Sequence, residues 1–235
     1  MIPKKIHYIW FGGSPLTPFA EKCIASWRKY CPDYEIVRWD ETNFDDGGNR
    51  YFQEALISKK WAFASDYARL KVLVEYGGIY MDTDVEVLKS LDSFLLNNAF
   101  SGFETKDRIS TGIMAAEAHH SFFEHLLLDY DNRRFIKPDG RLNLTTNVTY
   151  ITEALLDAGL ILNNQKQTVA GLTLYPCDYL CPKDWLTKEV NLTENSCTIH
   201  HFDGSWATGG TRLKNGLMHL LGPRGVALIK RFLGR

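Results

Sequence analysis

The chain has 235 residues, 45% of them apolar and 23% charged, enough to bury one sizeable core and unlike a disordered or low-complexity sequence. Basic and acidic side chains number 27 and 28, a net charge of −1, so no whole-chain field selects a highly charged partner. No run approaches the roughly 18 apolar residues of a membrane span, and Met1 to Trp10 leads into a strand rather than a signal sequence, so a soluble cytoplasmic protein is expected.

Lys5 to Trp10 alternates as a first strand, Pro18 to Tyr30 follows as a helix and Tyr34 to Trp39 as a second strand, a βαβ opening. Asp45 to Asn49 is a loop, and Tyr51 to Ser58 a helix. From Trp61 to Tyr76 the chain has no Gly or Pro and keeps Ala64, Ala68, Leu70, Val72 and Leu73 at helical spacing. Gly77 and Gly78 stop that helix. A short strand then leads into Asp82-Thr83-Asp84. Ala99 to Phe103 and Ile109 to Ala116 read as further strands, Ser121 to Tyr130 and Val148 to Ala158 as helices. Strands alternating with helices predict an α/β domain with a mainly parallel, Rossmann-like sheet covered on both faces, in which ligands bind beyond the carboxyl ends of the strands. Trp10 to Gly13 and Asp82 to Asp84 both fall at such ends.

In a strand, Asp82 and Asp84 project to the same side and Thr83 points away. Two converging carboxylates suit a hard divalent cation, Mn²⁺ or Mg²⁺, that keeps positions free for a substrate's phosphates. The expected client is a nucleotide diphosphate. An EF-hand loop is excluded, because Val87 stands where its sixth-position glycine is required. Asp66 and Arg69, three apart, share a face of the preceding helix. That helix is well placed to present an acid and a base to whatever the metal holds. Trp10, ahead of Phe11-Gly12-Gly13, offers an aromatic face for a base.

These blocks resemble glycosyltransferase family 32, the DXD-motif sugar transferases that include bacterial capsule and lipopolysaccharide enzymes and yeast-type mannosyltransferases. They are also similar to the glucosyltransferase domain of large clostridial toxins. The resemblance rests on Ile2 to Gly13, Ser26-Trp27, Pro32 to Glu35, Ala64 to Arg69 and Gly77 to Asp84, in that order, and covers roughly the first 105 residues well. It implies a GT-A fold and a retaining hexosyltransferase using a nucleotide-sugar donor, UDP-linked in the first expectation, and a saccharide or lipid-linked saccharide acceptor. Asp66 and Arg69 would hold hydroxyls of the donor sugar. Asp82 would touch ribose or sugar and the metal, with Asp84 the firmer ligand, and Trp10 would stack on the base. The competing classes are a noncatalytic nucleotide-sugar binding domain and a metal-dependent phosphohydrolase, which would normally show more ligands.

Ile199 to Trp206 supplies a late histidine before a glycine loop. His201 fits as a third metal ligand better than His200 if Phe202 faces the core, and Ser205 and Trp206 would then lie against the diphosphate, as in the similar toxin enzymes. Five cysteines, an odd number without a zinc spacing, read as free thiols. The domain is expected to span 1–211, followed by a basic amphipathic tail, 212–235. That tail has no acidic residue and carries Arg212, Lys214, Arg224, Lys230, Arg231 and Arg235. It suits peripheral contact with the inner face of an anionic membrane, and no aromatic platform or motif for nucleic acid accompanies it.

Overall fold

The computed structural model describes residues 1–204. The opening βαβ unit consists of β1 (Lys5–Ile9), α1 (Pro18–Tyr30) and β2 (Glu35–Trp39). Thr17 caps α1, its hydroxyl oxygen accepting the Ala20 N–H at 3.1 Å, and Pro18 opens the first turn, where its missing N–H costs nothing. Ala20, Cys23, Ile24 and Trp27 form the buried stripe of α1. The Trp27 indole N–H donates to the Val85 carbonyl at 2.7 Å, a buried bond of about 1 kcal/mol that ties the helix to the segment following the Asp pair.

Helices α2 (Arg50–Ile57) and α3 (Trp61–Tyr76) pack together on one face of the sheet. Helix α3 ends at Gly77, whose φ of 62° is left-handed; a Cβ there would lie 2.7 Å from the Ala118 nitrogen. Gly78 begins β3 (Gly78–Met81) under the same constraint, with a Cβ meeting the Lys5 carbonyl at 2.7 Å. The two glycines therefore both stop the helix and let β3 lie close beside β1.

The remaining elements are β4 (Val85–Val87), β5 (Ala99–Thr105), β6 (Arg108–Ile109), β7 (Ile113–Ala116), α4 (Ser121–Asp129), α5 (Asn147–Asp157), β8 (Gln167–Val169), β9 (Leu172–Tyr175), α6 (Cys177–Leu180) and β10 (Thr198–His200). The main sheet runs β2-β1-β3-β7-β5-β9-β8, with β6 paired to β5. Strands β1, β2, β3, β5 and β9 share one direction, while β6, β7 and β8 oppose it. The sheet is mixed, with most of its strands running in one direction, and is flanked by helices. The stretch Ile109–Ala116, read as one strand from sequence, is broken at Ser110–Gly112 into β6 and β7. Along β3, Ile79 and Met81 enter one core cluster and Tyr80 the other, so the strand is buried on both faces and reads as an apolar run. A separate two-stranded sheet pairs β10 antiparallel with β4. No helix among the described residues is long and apolar enough to cross a membrane.

Candidate active site

Because β1 and β3 are adjacent and parallel, their carboxyl ends open on one cleft. The cleft holds about 700 Å³, and Trp10, Phe11 and Trp61 line it together with Asp66, Arg69, Asp82, Asp84 and His200. Both sequence blocks assigned to strand ends thus face the same space.

The Asp pair converges by a route different from the one expected. Strand β3 ends at Met81, and Asp82 to Asp84 form a turn in which the Val85 N–H donates to the Asp82 carbonyl at 3.0 Å. The Asp82 amide itself donates to the Gly112 carbonyl at 2.8 Å. The two carboxylates meet through this turn, not through strand alternation.

Asp82 is held from two sides. The Tyr80 hydroxyl donates to Asp82 Oδ1 at 2.6 Å, and Arg69 Nη2 stands 3.4 Å from the same oxygen. Arg69 also pairs with Asp66 Oδ1 at 3.3 Å, donates to the Thr111 carbonyl at 2.9 Å and lies over the Tyr80 ring. The pair expected on one helix face is therefore a bridge from α3 to the Asp turn. Asp66 accepts the Asn147 N–H on Oδ2 at 3.1 Å. Burial raises the Asp66 carboxyl to about 6, outweighing the pull of Arg69 and the Asn147 N–H in the other direction. Burial works against the Arg69 charge, but Asp82, Tyr80 and Asp66 together hold its pKa above the usual value.

His200, rather than the expected His201, lies beside the Asp pair. His200 Nε2 lies 3.3 Å from Asp84 Oδ1 and 3.8 Å from Asp82 Oδ2, whereas His201 Nε2 turns away to Glu86 Oε2 at 2.9 Å. The cause is register: β10 pairs with β4 so that His200 sits opposite Val85, and alternation sends His200 and His201 to opposite faces. Phe202, left-handed at φ 54°, places its ring 4.1 Å from that of His200 and lines the cleft, so the condition that favoured His201 is not met. Burial opposes charge on Asp84, but His200 and the Asp203 amide hold its carboxyl down at about 2. Burial likewise opposes charge on His200, and Asp84 overrides it, raising the imidazole well above its ordinary value. Ligand atoms of Asp82, Asp84 and His200 lie within 4.8 Å of one another. Two carboxylate oxygens and one imidazole nitrogen, partly open to the cleft, fit a divalent cation that shares its remaining positions with a substrate.

Trp10 is half-buried on the cleft wall, its indole N–H donating to the Ser14 carbonyl at 2.7 Å. Gly12 leaves room for a protein ring: a Cβ would come within 2.9 Å of Trp61 Cε2. Gly13 has open space around it. Ser205 and Trp206, and the basic tail 212–235, lie outside the described residues.

Residues 19–101 match the family described as the glycosyltransferase sugar-binding region containing the DXD motif. An uncharacterized glycosyltransferase of Acanthamoeba polyphaga mimivirus is 27% identical over 224 residues, covering 88% of this chain and 84% of that protein. The chain is similar to the DXD-motif glycosyltransferases. It is also 30% identical over 129 residues to inositol phosphoceramide mannosyltransferase 3 of Schizosaccharomyces pombe, covering 52% of its own length and 35% of the relative's. Among solved structures, the PaToxG glycosyltransferase superposes with a TM-score of 0.53 at 21% identity, over 66% of this chain and 69% of that one, a likeness of fold. The fold is GT-A.

Several residues of the site carried no local sequence signal. Tyr80 stood out only as an apolar strand position, and Thr111, Asn147 and Glu104 reach the site through tertiary placement. Tyr80 was the most accessible of these, since its i, i+2 spacing to Asp82 puts a hydroxyl within reach of the carboxylate.

Proposed function

We propose that the protein is a metal-dependent, retaining transferase that moves a sugar from a nucleotide-diphosphate donor, UDP-linked in the first instance, to a saccharide acceptor. The observation that carries this reading is the convergence of Asp82, Asp84 and His200 in a cleft large enough for a nucleotide sugar. Asp82, Asp84 and His200 would hold the cation, and the nitrogen donor favours Mn²⁺ over Mg²⁺. When bound, such a cation supplies Lewis acidity to the leaving diphosphate.

The chain's own groups set the rest. Tyr80 and Arg69 engage Asp82 Oδ1, which leaves Oδ2 on the His200 side. Asp66, backed by Arg69 and the Asn147 amide, presents an acceptor to sugar hydroxyls rather than a free nucleophile. Trp10, on the cleft wall, offers its ring to the base. A role in capsule or lipopolysaccharide synthesis, with the basic tail 212–235 on the inner face of a membrane, is supported by the sequence resemblance and the tail's charge.

The test is cleavage of a panel of UDP- and GDP-sugars by purified protein with Mn²⁺, with Mg²⁺ and with chelator. Metal-dependent cleavage of one donor, joined by transfer when a saccharide acceptor is added, is the expected result. Metal-independent phosphate release from simple phosphoesters would instead make the protein a hydrolase.

A further inference from the structure

The cationic side chains that line the cleft are Arg69, Arg108, Lys188 and His200. Arg69 is engaged by Asp66 and Asp82, and His200 by Asp84. Arg108 is exposed on β6, whereas Lys188 is half-buried and placed differently. Among the described residues it pairs with no carboxylate; its ammonium lies 3.5 Å from the Phe202 carbonyl oxygen and over the Phe202 ring. That ring is the one packed on His200. A positive charge thus stands beside the Asp82, Asp84 and His200 cluster without a fixed anionic partner.

The loop that carries it is closed on itself. Lys183 bridges Val190, the Asp184 N–H donates to the Glu189 carbonyl at 2.9 Å, and the Lys188 N–H donates to the Asp184 carbonyl at 2.9 Å. Asp184 Oδ1 accepts the Leu186 and Thr187 N–H groups at 2.8 and 2.7 Å. Closure in this form sets Lys188 at φ 63°, a left-handed conformation that glycine adopts freely and a lysine does not. What the lysine adds at this position is its side chain, and that side chain reaches the cleft.

We propose that Lys188 binds the diphosphate of the nucleotide donor and remains on it as it departs. This rests on the reading of the cleft as a nucleotide-sugar site. As the acceptor hydroxyl oxygen bonds to the anomeric carbon and gives its proton to water, the bond from that carbon to the diphosphate oxygen breaks and its electron pair goes to that oxygen. The added negative charge then falls on a group that Lys188 can meet with an ammonium hydrogen bond.

The experiment is a ladder of ligands titrated in Mn²⁺ into wild type, Lys188→Gly and Lys188→Arg: UDP, UMP and uridine, with GDP, GMP and guanosine run in parallel. Glycine removes the side chain and suits the backbone angle, so melting temperature should hold or rise. In Lys188→Gly the nucleoside diphosphate should weaken by about tenfold or more. The monophosphate and nucleoside should change by less than about twofold, and Lys188→Arg should recover most of the loss. Unchanged diphosphate affinity overturns the assignment. So does equal weakening of all three ligands together with a fall in melting temperature, the mark of a structural role. Wild type that binds neither series overturns both this assignment and the nucleotide-sugar reading, whereas tight wild-type binding with an indifferent Lys188→Gly overturns this one alone.

Discussion

His200 Nε2 stands 3.3 Å from Asp84 Oδ1, while the neighbouring histidine, His201, is turned onto Glu86. The relationship separates two histidines that look alike in sequence. His200→Ala should lower Mn²⁺ affinity at least about tenfold, as loss of a ligand or its close support does. His201→Ala should leave it nearly unchanged. Calorimetric titration of Mn²⁺ into both variants checks this, and the reverse ranking would return the metal role to His201.

Asp84→Asn should reduce metal-dependent donor cleavage by about a hundredfold or more while leaving the circular dichroism spectrum intact. Chelation of the wild type should give the same loss, and excess Mn²⁺ should restore the wild type but not the variant. Full turnover by Asp84→Asn would remove the carboxylate from the metal site.

Gly112 sets how closely the His200 ring can approach. A Cβ on Gly112 would meet His200 Nδ1 at 2.6 Å. Gly112→Ala should therefore overpack the site, costing about 1–3 kcal/mol of stability, and should weaken Mn²⁺ binding by displacing the ring. Denaturant melts and metal titrations read the two effects separately. A stable variant with wild-type metal affinity would show that the ring is not constrained there.

The buried Asp66 carboxyl gives a pH signature. Its folded value is raised to about 6 from 3.8, so the folded state binds the proton more tightly than the unfolded one. The stability that its protonation contributes is fully present below about pH 4 and is lost as pH rises through about 6. Activity should run the other way if the carboxylate must accept sugar hydroxyls, falling as pH drops below about 6. In Asp66→Asn the acid limb of the kcat/KM profile should disappear along with most of the activity. An acid limb that survives in the variant belongs to another group.

Trp10→Ala should weaken nucleotide binding more than it lowers the melting temperature, because the ring is half-buried on the cleft wall and its N–H bonds only to the nearby Ser14 carbonyl. Equal losses in both measurements would make Trp10 a packing residue.

Much of this was legible in the sequence where the signal is local. Helix α1 spans the expected Pro18–Tyr30 because Thr17 and Pro18 mark its start, and α3 spans Trp61–Tyr76 because Gly77 marks its end. The Asp66 and Arg69 pairing followed from helical spacing. What escaped depends on partners distant in sequence. The order β3-β7-β5, with β7 reversed, is not written in the hydropathy of any one strand. The choice of His200 follows from its register against β4, and the Asp82 turn from the Gly112 carbonyl that receives its amide. The hairpin of β8 and β9 lies in a stretch whose short runs gave no expectation at all.

The pairing of β4 with β10 also has a consequence for how the chain is made. Asp82 and Asp84 leave the ribosome well over a hundred residues before His200, a delay on the order of ten seconds at ordinary elongation rates. Until Thr198–His200 arrives, β4 has an open edge and the Asp pair lacks its histidine neighbour. The nascent chain therefore carries the acidic half of its centre, beside an unpaired strand, while all the intervening residues are made, and a release of the chain before Thr198 would leave that edge free to pair with another molecule.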